Sequence, residues 1–243
     1  MSIRGDLDGR LALVTGASGG IGAAIARALA EAGARLALGY GRGAQAAEEL
    51  AQELGPHARA FGADLEEPDA PARLVEAIEE QLGPVEVLVA NHGIAVVRGW
   101  EEVDPAAFDR TLAINLRAPF LLAQRVLPGM RARRFGRILL MSSMAALRGG
   151  VVGPDYAASK AGLHGITHYL APRVARDGVT VNALAPGFVE TAMLPGDPVE
   201  LGRSVPIGRV GRPEEVADLA VAVLANAYVT NKVISLDGGS YPR

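Results

Sequence analysis

Short runs of aliphatic residues alternate along the chain with longer stretches whose apolar positions recur every three or four residues. The short runs, Arg10–Thr15, Arg35–Tyr40, Ala58–Phe61, Val85–Ala90, Gly136–Ser142, Val179–Leu184 and Lys232–Leu236, predict strands. Several are apolar at nearly every position, the pattern of strands covered on both faces. The longer stretches predict helices over Gly20–Ala32, Ala44–Leu54, Asp69–Leu82, Pro105–Arg133, Asp155–Arg176 and Pro213–Ala225. Pro172 falls inside one of them, where it removes a hydrogen bond and predicts a bend or an early end. Strand–helix alternation joined by right-handed crossovers predicts an α/β fold: a doubly wound, seven-stranded parallel sheet flanked by helices. No linker, charge run or internal repeat divides the 243 residues, so a single domain over 1–243 is expected. The stretch from Pro186 to Pro206 is the least regular and rich in Pro and Gly, and a lid is expected over about 187–210.

Composition narrows the partners. Apolar residues make up 49% of the chain, ample for a core, and the net charge is −3 with signs interspersed. That balance argues against nucleic acid or an anionic membrane as the main partner. No apolar stretch reaches the ~18 residues of a membrane span, and Met1–Asp6 lacks the apolar core of a signal segment. There is no cysteine, hence no disulfide, thiolate nucleophile or cysteine-type zinc site, and no metal site is expected. A cytoplasmic protein is the expectation.

Between the first strand and the first helix stands Thr15-Gly16-Ala17-Ser18-Gly19-Gly20-Ile21-Gly22. Glycines there permit a tight turn and let the backbone approach a pyrophosphate, whose charge meets the helix N-terminus. Gly16, Ser18, Gly19, Gly20, Ile21 and Gly22 are therefore candidate nucleotide contacts; the alternative is a turn that merely uses small residues. An acid about 20 residues further on would mark an NAD site. Here the second strand ends Gly39-Tyr40-Gly41-Arg42-Gly43, with no acid and an arginine in reach of a 2′-phosphate. Arg42 thus points to NADP(H), unless it is simply a solvated loop arginine. Asp64, followed by Leu65 after the third strand, can accept from an adenine amine or cap a helix.

Tyr156-Ala-Ala-Ser-Lys160, with Ser143 thirteen residues upstream, carries the candidate chemistry. A tyrosine and a lysine four apart share a helix face, where the ammonium favours the phenolate form. The chain holds 22 arginines and only two lysines, Lys160 and Lys232. A position that stays lysine in such a chain asks for a compact ammonium on a flexible stem. Taken singly, Ser142 and Ser143 could end a strand, Tyr156 could be core and Asn115 a locally bonded helix residue.

Jointly, the glycine loop, Asn91-His92-Gly93, Asn115, Ser143, Tyr156-x-x-x-Lys160 and Pro186-Gly187 resemble the short-chain dehydrogenase/reductase family, from about Leu7 to the C-terminus. The resemblance is to its 3-oxoacyl-acyl-carrier-protein reductase-like members, and implies a Rossmann-type catalytic domain. It implies Tyr156 as general acid, Lys160 on the nicotinamide ribose and lowering the tyrosine pKa, and Ser143 on the substrate oxygen. Asn115 would order a water that relays protons to Lys160. Asn91, Gly93, Pro186, Gly187, Val189 and Thr191 would border the cofactor. The family also implies a homotetramer joined through the two long helices. Chemistry agrees with these roles: hydride delivery to a ketone creates an alkoxide, and donors belong where that charge develops.

The chain departs from the family pattern in places. His92 stands where an alanine is usual, either as a packed neutral histidine or approaching the cofactor. His164 and His168 are one turn apart but read as packing or surface residues, and Trp100 as a mouth or surface ring. Reductases of this kind dock an acidic carrier on two basic positions near the active site. The first is Arg134 here, while the second is Asp177, beside Arg176. The expected activity is NADPH-dependent reduction of a 3-oxoacyl thioester or polyketide-like ketone, carried on acyl carrier protein or CoA. The alternatives are the same mechanism on a sugar, steroid or other secondary alcohol, and a catalytically silent NADP-binding regulator.

Overall fold

The computed structural model describes residues 6–241; the start read above for a signal segment lies largely outside them. The strands are β1 (Leu11–Thr15), β2 (Arg35–Tyr40), β3 (Ala58–Gly62), β4 (Val87–Ala90), β5 (Gly136–Met141), β6 (Val179–Pro186) and β7 (Val233–Leu236). They form one sheet in the order β3-β2-β1-β4-β5-β6-β7, every neighbouring pair parallel. The helices are α1 (Gly20–Glu31), α2 (Ala44–Leu54), α3 (Ala70–Leu82), α4 (Pro105–Leu112), α5 (Ala118–Arg133), α6 (Ala145–Arg148), α7 (Pro154–Val174), α8 (Pro198–Arg203) and α9 (Pro213–Leu224).

Alternating strand residues feed two cores. Ala12 and Val14 of β1 face α1 and α9, joining Ile25, Leu29, Val216 and Leu224. Leu11 and Leu13 face the other layer, with Leu74 and Ile78 of α3, Leu122 and Val126 of α5, and Leu163 of α7. The small side chains of α1 let it lie close against α9, and both contribute alanines to their shared core. Strand order reverses between β1 and β4, so the crevice beyond their carboxyl ends is where an open parallel sheet accepts a ligand.

Two expectations about helices change. The single helix foreseen over Pro105–Arg133 is divided: α4 gives way to a π turn over Ala113–Arg117, then α5 resumes. Pro119 supplies a reason. It has no N–H for the carbonyl of Asn115 four residues back, and a regular turn would drive its ring into that carbonyl. Pro172 instead lies in the last turn of α7, which runs to Val174 and tightens into a 3₁₀ turn over Ala175–Asp177. Loss of one bond there shortens the helix end without bending its middle.

The irregular segment beyond β6 contains α8, capped by Asp197 through bonds from the N–H groups of Val199 at 2.9 Å and Glu200 at 3.0 Å. Its base is closed by Glu190 N–H to Gly211 O at 2.9 Å and Gly211 N–H to Phe188 O at 2.8 Å. Ile207 N–H to Gly238 O at 3.1 Å anchors its far end. Among the described residues no helix is long and apolar enough to cross a membrane, and no group of His, Asp and Glu is arranged to hold a metal.

Candidate active site

The loop between β1 and α1 is a backbone cradle. Gly16 has φ +67°, and a Cβ there would lie 3.0 Å from His92 Cα. A Cβ on Gly22 would come within 2.2 Å of Gly16 O, so α1 can approach its own loop only with glycine at that position. No side chain caps α1 and its first turn carries no acid, which leaves its N–H groups and positive pole to an anion. Ser18 packs against Gly43, which places the exposed Arg42 beside the cradle. Asp64 Oδ1 accepts from Glu66 N–H at 3.1 Å, capping a turn rather than α3, whose N-cap is Asp69; Leu65 follows it in this turn. Thr191, at the base of the irregular segment, lies against Gly20.

Asn91 spends its side chain on the cradle: Nδ2 donates to Thr15 O at 3.1 Å and Gly16 O at 3.3 Å. The Thr15 hydroxyl accepts from Asn91 N–H at 3.1 Å and meets His92 Nδ1 at 2.7 Å. Burial first, then the charge of Lys160, holds His92 down at about 3, against the pull of the Ile114 carbonyl. His92 is thus a neutral, packed ring between the cradle and the π turn.

At the carboxyl ends of β4, β5 and β6 the remaining candidates meet. Asn115, fully buried in the π turn, accepts from Ile94 N–H at 2.8 Å and donates to Ile94 O at 2.9 Å. This pair of bonds fastens the loop after β4, and Gly93 in it lies against Asn115 Oδ1 and Lys160 Nζ. Asn115 Nδ2 also reaches Ser159 Oγ at 3.2 Å on α7. Lys160, buried on the same helix, donates from Nζ to Met141 O at 2.8 Å, and its Nζ sits 5.9 Å from the centre of the Tyr156 ring. Ser143 hydrogen-bonds Tyr156 across the end of β5. Pro186 ends β6, its carbonyl accepting from Met144 N–H at 2.9 Å, and Gly187 N–H donates to Leu236 O at 2.9 Å. Val189 is bridged to Gly211.

Burial brings the Lys160 ammonium down to about 8. Tyr156 moves the other way: burial raises its phenol, and the Ser143 hydrogen bond opposes the rise. The expectation that the lysine lowers the tyrosine is therefore reversed in the protein alone, because desolvation of the phenolate dominates while the ammonium is engaged by Met141. A protonated tyrosine is the acid that a forming alkoxide needs.

The structure corrects the carrier-docking expectation within one chain. Arg134 caps α5 just before β5 begins, whereas Ser143 follows the other end of that strand. Arg134 thus lies at the opposite edge of the sheet, about 20 Å away at strand spacing. Its guanidinium donates to Arg176 O at 2.9 Å, and Asp177 is paired with Arg131 at 2.6 Å. Two links were missed altogether: Ser142 with His164, and the buried Asp155, which accepts from Thr111 at 2.6 Å. The helical spacing of His164 to Lys160 was the available signal for the first.

Comparison with known proteins agrees with this geometry. The family model described as short chain dehydrogenase matches residues 10–198. The 3-oxoacyl-[acyl-carrier-protein] reductase FabG of Vibrio cholerae is 37% identical, over 97% of this chain and 99% of that protein. An acetoacetyl-CoA reductase of Allochromatium vinosum is 37% identical over 96% of this chain and 98% of that one. The crystal structure of a 3-oxoacyl (acyl-carrier-protein) reductase from Agrobacterium tumefaciens with NADP bound superposes with a TM-score of 0.91. It is 37% identical over 98% of this chain and 96% of that chain.

Proposed function

Because the chain belongs to the short-chain dehydrogenase/reductase family, we propose that it is an NADPH-dependent reductase of a 3-oxoacyl thioester or polyketide-like ketone. The observation that carries this reading is the meeting of Ser143, Tyr156 and Lys160 at the strand ends, next to the glycine cradle.

The cradle suits a dinucleotide: a Cβ at Gly16 or Gly22 would fill it, the start of α1 is uncapped, and Arg42 beside it is exposed. The glycine loop would hold the pyrophosphate, Arg42 the 2′-phosphate, and Asp64 with Leu65 the adenine. Asn91 and Gly93 shape the wall beside it, and Pro186, Gly187, Val189 and Thr191 border the nicotinamide end. The nucleotide supplies the hydride. Tyr156 donates its proton to the carbonyl oxygen as charge develops there, and Ser143 hydrogen-bonds the same oxygen. Lys160, released from Met141, engages the ribose and restores the tyrosine proton. Asn115 keeps the loop after β4 closed over Lys160 and orders the water that feeds it.

Apolar residues support an acyl chain over a sugar. Val96, Val97 and Trp100 stand exposed on the loop after β4, joined by Arg98 N–H to Val152 O at 2.8 Å to the segment bearing exposed Val151. Met193 and Val199 are exposed on the segment over about 187–210, read as the lid of a domain that spans 1–243. The reading includes a cytoplasmic setting and a homotetramer formed through α5 and α7. Arg134 can then serve a carrier protein only from a neighbouring protomer.

The test follows 340 nm absorbance with NADPH and acetoacetyl-CoA, beside NADH and Tyr156→Phe controls. Turnover that falls about a thousandfold in Tyr156→Phe, with NADPH still bound, is expected. Absence of turnover in the parent protein rejects this substrate class and directs attention to sugars, steroids and other ketones.

A further inference from the structure

Ser142 and His164 form a buried contact that the reaction just described does not use. The Ser142 hydroxyl lies 3.0 Å from Lys160 O and 2.7 Å from His164 Nε2. Ser142 is almost wholly buried, its N–H is taken by Leu184 O at 2.7 Å, and it directly precedes Ser143. His164 follows Lys160 by one turn of α7.

Proton counting orders this contact. A serine hydroxyl carries one proton, and a carbonyl can only accept. Ser142 therefore donates to Lys160 O, and His164 must carry its proton on Nε2 and donate to Ser142. The direction runs from imidazole to hydroxyl to the helix backbone. A histidine with its proton on Nδ1 would take the serine proton and leave two oxygens facing each other at 3.0 Å.

Three consecutive residues of the β5 end are thereby tied to α7. Met141 O receives Lys160 Nζ, Ser142 Oγ reaches the Lys160 backbone, and Ser143 bonds Tyr156. The first tie must loosen if Lys160 turns to a ribose, and the third bears on the reacting atoms. The middle one alone can stay fixed through a reaction cycle. Neither Ser142 nor His164 is placed to touch a substrate.

We propose that His164 is a positioning residue: by donating from Nε2 to Ser142 it holds Ser143 and the Tyr156–Lys160 turn of α7 in fixed relation. The inference rests on the reductase reading only in its kinetic arm.

The experiment combines two readouts. Nitrogen-15 NMR of histidine-labelled protein, with four histidines in the chain, identifies His164 by its loss in His164→Gln. The expected result is an Nε2–H tautomer whose resonance shifts in Ser142→Ala. In NADPH-dependent reduction of acetoacetyl-CoA, His164→Leu should lower kcat about tenfold, the scale of a small misplacement of reacting groups, with KM for NADPH unchanged. His164→Gln, whose amide can donate in the same place, should recover kcat to within about twofold. Ser142→Ala combined with His164→Leu should be no worse than the poorer single variant, as for two members of one link. An Nδ1–H tautomer, full kcat in His164→Leu, or additive losses in the double variant would each overturn the proposal. If the parent protein reduces no ketone, the functional reading fails, while the tautomer and its response to Ser142→Ala still decide this one.

Discussion

On the cradle side of the site, the groups that would meet a ligand are backbone N–H groups, and their positions follow from glycines and from Asn91 bonded to the loop carbonyls. On the opposite side, the proposed substrate side, they are exposed valines, a methionine and a tryptophan on loops of which two are joined by the bond from Arg98 N–H to Val152 O. The first side tolerates almost no added atom. The second has room to change. A scaffold built this way can hold a nucleotide cradle fixed while the loops across from it accept substitution.

The sharpest attempt to break this contrast is Gly22→Ala. A methyl placed 2.2 Å from Gly16 O must move backbone, and overpacking of that kind costs about 1–3 kcal/mol. NADPH affinity, read by nucleotide fluorescence, should fall roughly a hundredfold; an unchanged affinity would show the cradle to be pliant after all.

Lys160 sits at the junction of the two sides and should reveal what that placement costs. Burial lowers its ammonium from 10.5 to about 8. Below pH 8 the folded protein carries the full penalty of a buried cation. Between 8 and 10.5 the unfolded chain binds more protons than the folded one, so stability rises with pH, and above 10.5 the penalty is gone. Lys160→Met should therefore stabilise the protein at pH 7 by about 3 kcal/mol. The gain should shrink toward zero as pH approaches 10.5. Melting curves across that range test the sign; a variant less stable than the parent at pH 7 would mean that the Met141 bond outweighs desolvation.

A smaller effect should follow from Arg42→Ala. One charge-assisted contact is lost, worth about 1.5–3 kcal/mol, so KM for NADPH should rise tenfold or more while KM for NADH stays put. Equal losses with both nucleotides would place Arg42 outside the 2′-phosphate site. The smallest effects belong to the rim. Val151→Ser or Met193→Ser should raise KM for a medium-chain 3-oxoacyl thioester roughly threefold each, as part of an apolar side chain is withdrawn. NADPH binding should not respond; if it does, the two sides are coupled more tightly than their contacts indicate.

The same contrast governs what could be read from the residues. Strands β1, β2, β5 and β6 were legible to within a residue or two because a parallel sheet buried on both faces demands unbroken aliphatic runs. The glycine loop was legible because backbone geometry restricts residue choice. Tyr156, Lys160 and Ser143 meet where their spacing placed them, but the rise that burial gives the phenol in the protein alone was not legible, since spacing carries a neighbour's charge and not the degree of burial. Arg134 was misplaced for a related reason: a motif gives no distance from strand start to strand end. Of the rim, only the irregular stretch over about 187–210 and Trp100 were singled out, because exposed loop residues leave no periodicity. His164 was read only as a packing or surface residue because its partner lies 22 residues upstream on another element, and only folding brings the two within 2.7 Å.

The π turn at Ala113–Arg117 has a genetic consequence. Each α-helical residue advances the chain by about 100°, so the turn acts as a one-residue insertion that resets helical phase between α4 and α5. Loss of a single codon there would remove that extra residue and rotate Asn115 relative to Ile94 and Ser159, though every side chain of the site remained encoded. In this stretch the number of residues is under as much constraint as their identity, and an alignment scored on identity alone would miss it.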